Sequence, residues 1–218
     1  MTSNKAIRFY GSGVPEVMRY EDIEVGKPAA GQILLRHVAV GLNYADTYFR
    51  DGTYQIPLPN GMGVEASGVI EAVGEGVTDF QVGDRVTYTG FLNTLGAYST
   101  SRLIDANVLI KLPEGISCET AAAMTMRGLT SAYLMRRIYD FKKGDTILLH
   151  AAAGGVGLIV SQWAKLLGLT VIGTTSSDEK AAIAKAYGCD HVINYSHENV
   201  AERVRELTHG IGVNVVFD

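Results

Sequence analysis

Apolar positions change their spacing part-way along the chain. Over the first half they fall in short β-like runs: Ala6 to Tyr10, Gln32 to Val40, Gly68 to Val73, Arg85 to Thr89 and Val108 to Lys111. Turn signals separate them at Gly74-Glu75-Gly76, Val82-Gly83-Asp84 and Pro113-Glu114-Gly115. Many short strands at this spacing predict a small, partly open β-barrel. Polar residues Ser117 to Thr120 then start a helix that continues from Ala121 to Tyr139. A domain boundary is expected near Pro113 to Thr120, giving domains 1–118 and 119–218.

Beyond it, strand and helix alternate. Thr146 to His150 is a continuous apolar strand, followed by a helical pattern through Ile159, Trp163, Leu166 and Leu167. Then come a strand at 170–174, a helix at 178–187, a strand at 191–195, a helix near 198–208 and a strand at 213–218. Such βα repetition predicts a parallel sheet with helices on both faces. Between the first strand and helix lies Ala152-Ala153-Gly154-Gly155-Val156-Gly157. Glycines there let backbone N–H groups approach a pyrophosphate at a helix N-terminus, so this half is expected to bind a dinucleotide. The last strand ends the sequence, whereas a doubly wound fold has two such halves. A chain truncated after its first half is therefore expected, with a self-sufficient half-fold as the alternative.

Composition narrows the function classes. The net charge is −4 and the basic residues are scattered, which argues against duplex nucleic acid as a partner. No apolar run approaches the roughly 20 residues of a membrane span, and Met1 to Ile7 lacks an apolar signal core. Two isolated cysteines, Cys118 and Cys189, suit a reducing cytoplasm and packing roles rather than a disulfide framework. None of the five histidines has metal-ligand spacing; His150, beside the glycine turn, is the one to watch.

Gly41-Leu42-Asn43-Tyr44-Ala45-Asp46-Thr47-Tyr48, Gly63 to Gly68, Val82 to Val86 and His150 to Gly157 carry a family resemblance. From Lys5 to Asp218 the chain resembles the zinc-independent quinone oxidoreductases of the medium-chain dehydrogenase/reductase superfamily, close to the bacterial enzymes and ζ-crystallin. The resemblance implies a GroES-like first domain, a Rossmann second domain and an NADPH:quinone reductase that forms a homodimer in its full-length form. It also implies no metal. Zinc enzymes of the superfamily place a cysteine at the position of Asn43, a histidine at that of Val64 and a third cysteine near Met126. Valine cannot bind zinc, and asparagine is a poor ligand beside thiolate or imidazole. Glu65, shared with the zinc enzymes, is expected to be a buried structural carboxylate.

Cofactor choice is read at the second strand of the nucleotide half. NAD sites carry an acidic residue there for the ribose 2′-hydroxyl. Here the strand ends in Gly173-Thr174-Thr175-Ser176-Ser177, whose hydroxyls, with Lys180, suit a 2′-phosphate. Asp178 and Glu179 are expected to start the next helix. By resemblance, Lys180 meets the 2′-phosphate and Tyr195 the adenosine side. The cofactor set is Asn43, Thr130, Gly154, Gly155, Val156, Gly173, Thr174, Ser176, Lys180 and Tyr195. Asn43, Asp46, Tyr48 and Tyr54 would line the nicotinamide–substrate cleft, the two phenols offering donors and flat faces to a quinone. Plainer roles stand beside these: Asn43 as a turn residue, Asp46 as a helix cap, the tyrosines as packing aromatics and Thr130 as structural. Reduction of an enone or alkenal, or NADPH binding without catalysis, are the alternative functions.

Overall fold

The short β runs of the first half form two antiparallel sheets. The computed structural model describes residues 4–90 and 95–218. The chain divides into units Met1–Met126 and Arg127–Asp218. In the first unit β1 (Asn4–Phe9), β2 (Met18–Ile23) and β4 (Asn60–Gly61) form one sheet in the order β2-β1-β4. A second sheet contains β3 (Gln32–Gly41), β5 (Glu65–Val73), β6 (Arg85–Thr89), β7 (Ser101–Asp105) and β8 (Ile110–Lys111), ordered β7-β3-β5-β6-β8. A bridge between Ala6 and Ser99 links the first sheet to the chain leading into β7. Alternation along the strands buries Ile33, Leu35, Ala66, Ile70, Val86, Tyr88 and Ile104 in one core. Helix α1 (Ala45–Asp51) follows β3.

Three strands escaped the sequence pattern. β2, Met-Arg-Tyr-Glu-Asp-Ile, is an edge strand with charge at half its positions, so it shows no apolar period. β4 has two residues, and β7 mixes Arg102 and Asp105 into a run of five.

Helix α2 (Cys118–Tyr133) has its N-terminal amide at Thr120 bonded to the Ser117 hydroxyl at 3.1 Å. It runs on as a π-helical segment, Leu134–Ile138. The second unit then follows the expected alternation: β9 (Thr146–Leu149), α3 (Gly155–Leu166), β10 (Thr170–Thr175), α4 (Asp178–Ala186), β11 (His191–Asn194), α5 (Val200–Leu207) and β12 (Val215–Phe217). All pairings are parallel, in the order β11-β10-β9-β12. Ile147, Leu149, Val171 and Phe217 pack with Val160 and Ala164 on one face; Leu148, Ile172 and Ile193 pack with Val204 on the other. Both faces are thus covered, which is why these strands read as continuous apolar runs. Because β12 lies beyond β9, strand order reverses between them, and the crevice at their carboxyl ends is where such sheets bind ligands. Among the described residues no helix is long and apolar enough to cross a membrane.

Candidate functional site

The turn leaving β9 is shaped by close backbone packing. Ala151 has φ +49°, a left-handed conformation that a non-glycine residue adopts at some cost. Gly154 caps α3, its N–H donating to the Ala151 carbonyl at 2.7 Å. A Cβ at Gly157 would sit 2.6 Å from the carbonyl oxygens of both Ala151 and Ala152, so only glycine lets the helix start this close to the turn. The N–H groups of the first turn of α3, at Gly155 and Val156, have no acceptor within the helix.

A pocket of about 480 Å³ opens at the carboxyl ends of these strands. Gly154, Thr174, Ser176, Lys180 and Tyr195, all expected from sequence, line it with His150, Ala151, Ala153, Thr175 and Asp218. The Thr174 hydroxyl lies 2.9 Å from His150 Nδ1. Lys180 Nζ donates to the Ser176 hydroxyl at 3.2 Å, and Ser177 caps α4 by accepting from the Lys180 amide at 3.3 Å. Tyr195 is half-exposed, its amide bonded to the Thr175 carbonyl at 3.1 Å. Asp178 and Glu179 form the first turn of α4 and are absent from the pocket lining.

Other expected cofactor residues lie elsewhere in the second unit. Gly173 is buried in β10, where a Cβ would meet Ala152 Cβ at 2.6 Å and Cys189 Sγ at 2.8 Å. Its position is explained by that packing. Val156 packs on the core, and Thr130 is half-buried in α2. Cys189 is buried against the Ser161 hydroxyl at 3.3 Å, and burial raises its thiol pKa.

In the first unit, Asn43, Asp46, Tyr48 and Tyr54 cluster around α1. Asn43 donates its side-chain amide to Glu65 Oε2 at 2.9 Å, and its backbone N–H to Asp46 Oδ2 at 2.9 Å. Glu65 is 1% exposed and also accepts the Met126 amide at 2.6 Å. At the two positions where the resemblance puts zinc ligands stand an amide bonded to Glu65 and a fully buried Val64, and near the third lies Met126, whose backbone amide is bonded to Glu65. Asp46 is buried, with Oδ2 accepting the Tyr98 hydroxyl at 2.6 Å. Its Oδ1 is buried without a hydrogen-bond partner among the described residues. Burial lifts the Asp46 carboxyl above its ordinary pKa, against the pull of Tyr98 and the Asn43 amide. Burial also raises the Tyr98 phenol, and Asp46 adds to that rise.

Tyr48 and Tyr54 meet edge to face, with ring centroids 5.3 Å apart; Tyr44 adds a second edge contact to Tyr48 at 5.4 Å. The Tyr54 amide bonds the Tyr48 carbonyl at 2.8 Å, which turns the chain back after α1 and pairs the rings. Tyr98 was missed in the sequence because no local pattern ties it to Asp46, 52 residues away.

Two family models match this chain: an alcohol dehydrogenase GroES-like domain over residues 29–114, and a zinc-binding dehydrogenase domain over 155–218. A quinone oxidoreductase of Pseudomonas aeruginosa is 50% identical over 98% of this chain. The solved Escherichia coli quinone oxidoreductase complexed with NADPH is 45% identical over 98% of the chain, with a TM-score of 0.94. The chain belongs to the zinc-independent quinone oxidoreductase family of the medium-chain dehydrogenases/reductases. It covers 66% of the Pseudomonas relative and 65% of the Escherichia coli chain, so it spans about two-thirds of their length. A 2-haloacrylate reductase of Burkholderia sp is 47% identical over 94% of this chain, which covers 63% of it. The second model's description names zinc, but its match covers 155–218 and, among the described residues, no group of three or more His, Cys, Asp or Glu side chains is placed to hold a metal ion. In this quinone oxidoreductase family member, the carboxylate expected of an NAD site is replaced at the tip of β10 by Thr175 and Ser176.

Proposed function

We propose that this protein reduces quinones by a zinc-independent transfer of hydride or electrons from NADPH. The observation that carries the reading is the pocket beside the glycine turn, whose lining includes Thr174, Ser176, Lys180 and Tyr195, has Asp218 as its one acidic residue and has neither carboxylate of the first α4 turn. A 2′-phosphate would be held there by the Lys180 ammonium and the Ser176 hydroxyl, with Tyr195 beside the adenosine. The pyrophosphate would take the α3 N-terminus, next to Gly154, Gly155 and Val156. Bound NADPH would supply the reducing equivalents. Tyr48 and Tyr54 would stack on and donate to a quinone, Asn43 and Asp46 would shape the floor beneath it, and Thr130 would face the cofactor.

Residues 1–118 would act as the substrate domain and 119–218 as the dinucleotide-binding domain. Cytoplasmic residence belongs to the same proposal and is supported by the two free, buried cysteines. Homodimer formation rests on the family resemblance. The Burkholderia relative supports a second reading, reduction of an enone or related activated alkene, which would use the same pocket and phenols.

Calorimetric titration with NADPH and NADH tests the cofactor assignment. Lys180→Ala is expected to weaken NADPH by roughly 1–3 kcal/mol more than NADH, toward the lower end because Lys180 is exposed. Equal losses for both cofactors would overturn the 2′-phosphate site. A panel of quinones and enones, followed by loss of NADPH absorbance, then separates the two substrate readings.

A further inference from the structure

Two acidic residues, Asp178 and Glu179, stand between Ser176 and Lys180 in sequence, in the segment that would receive a 2′-phosphate dianion. Left free, either carboxylate would repel that group. The Asp178 Oδ1 accepts the side-chain amide of Asn194 at 2.8 Å. Glu179 is exposed in the first turn of α4, its carboxyl kept ionised by the Ser177 hydroxyl and its own backbone amide, which hold it below the ordinary value.

Asn194 is built to do this. It is 7% exposed at the end of β11, and its amide orientation is set from both ends. Its Oδ1 accepts the Ser196 amide at 3.1 Å, which leaves the NH₂ group facing Asp178. Its backbone amide donates to Glu198 Oε1 at 2.9 Å. The same turn is tied to the tip of β10 by Ser196 Oγ donating to the Ser176 carbonyl at 2.9 Å.

We infer that Asn194 is a positioning residue for cofactor choice, its amide anchoring the Asp178 carboxylate outside the phosphate end of the pocket. The inference rests on the NADPH reading above and names a residue outside the pocket lining, held next to Thr175 and Tyr195, which do line it. Removing the Asn194 amide frees Asp178 to turn its charge toward Ser176 and Lys180, and the cost falls on the cofactor that carries the extra phosphate.

The test is calorimetric titration of the wild-type chain, Asn194→Ala, Asp178→Asn and the double variant with NADPH and with NADH. Asn194→Ala is expected to lower the NADPH-over-NADH preference on the order of tenfold, the effect of one carboxylate brought to about 4 Å from a phosphate dianion. Adding Asp178→Asn removes that charge and is expected to restore the preference, which a merely structural loss at Asn194 would not allow. Asp178→Asn alone, at an exposed position, is expected to leave NADPH affinity within about twofold, since the charge is already sequestered. This single variant decides the matter even where Asn194→Ala does not fold: NADPH binding tightened about tenfold would overturn the inference. An unchanged preference in a folded Asn194→Ala, or no rescue in the double variant, would overturn it too. A wild-type chain without NADPH preference would instead overturn the cofactor reading, and this inference with it.

Discussion

Replacing His37 with glutamine isolates a buried polar relay in the first unit. His37 Nδ1 lies 2.7 Å from the Ser99 carbonyl and Nε2 lies 3.0 Å from the Tyr88 hydroxyl, so the neutral ring donates at Nδ1 and accepts at Nε2. Tyr88, fully buried, also receives Arg102 Nη1 at 3.4 Å. A second proton on His37 would face the Tyr88 hydroxyl and the nearby guanidinium. Burial, with Arg102 assisting, pushes the ring pKa from 6.5 down to about 4, despite the favourable Ser99 carbonyl. The unfolded chain therefore binds more protons than the folded one between those values. Stability from this source is complete above pH 6.5 and drains away as pH falls toward 4. The full shift corresponds to about 3 kcal/mol, a ceiling because the ring edge keeps some solvent contact. Roughly 1–2 kcal/mol is expected to be lost by pH 5.

His37→Gln carries no titrating proton, so its stability should change less over the same range, whatever it costs at neutral pH. Taking the difference between the two proteins cancels other groups, including Asp46, whose raised carboxyl pulls the pH dependence the opposite way. Amide hydrogen exchange of β3, β6 and β7, corrected for intrinsic rates, reads the opening of this sheet alone. Equal loss of protection in wild type and variant between pH 7.5 and pH 5 would refute the reasoning.

Two further outcomes follow from the same geometry. Gly157→Ala should destabilise the second unit by about 1–3 kcal/mol and weaken both NADPH and NADH, because its Cβ meets fixed carbonyl oxygens; wild-type melting with wild-type titrations would contradict this. Tyr98→Phe removes the donor to Asp46 Oδ2 and should cost about 1.5–3 kcal/mol at neutral pH. Losing that donor raises the Asp46 carboxyl further, so the variant should lose additional stability as pH rises from 4 to 7; chemical denaturation showing a pH-independent deficit would count against it.

The nucleotide half was legible in the chain because its strands are buried on both faces. Val171, Ile172 and Ile193 had to form continuous apolar runs, and the glycine turn had to stand between β9 and α3. The acid-free tip of β10 and the non-ligating residues at 43 and 64 were equally local facts, decided by residue type alone. Elsewhere the local pattern was silent. β2 has no buried residue at any position and β7 buries only Ser101 and Ile104, three apart, so neither strand shows a period-two signal. The close approach of Ala152 and Cys189 from other segments, which itself requires glycine at 173, also leaves no mark in the local pattern. The placement of β12 beyond β9, the Tyr98–Asp46 bond and the Asn194–Asp178 bond were decided only by tertiary structure. Hydrophobic period is a property of one segment against its own face, whereas a hydrogen bond between distant residues depends on which strands become neighbours. That order is set by the packing of the whole unit and leaves no mark at either residue.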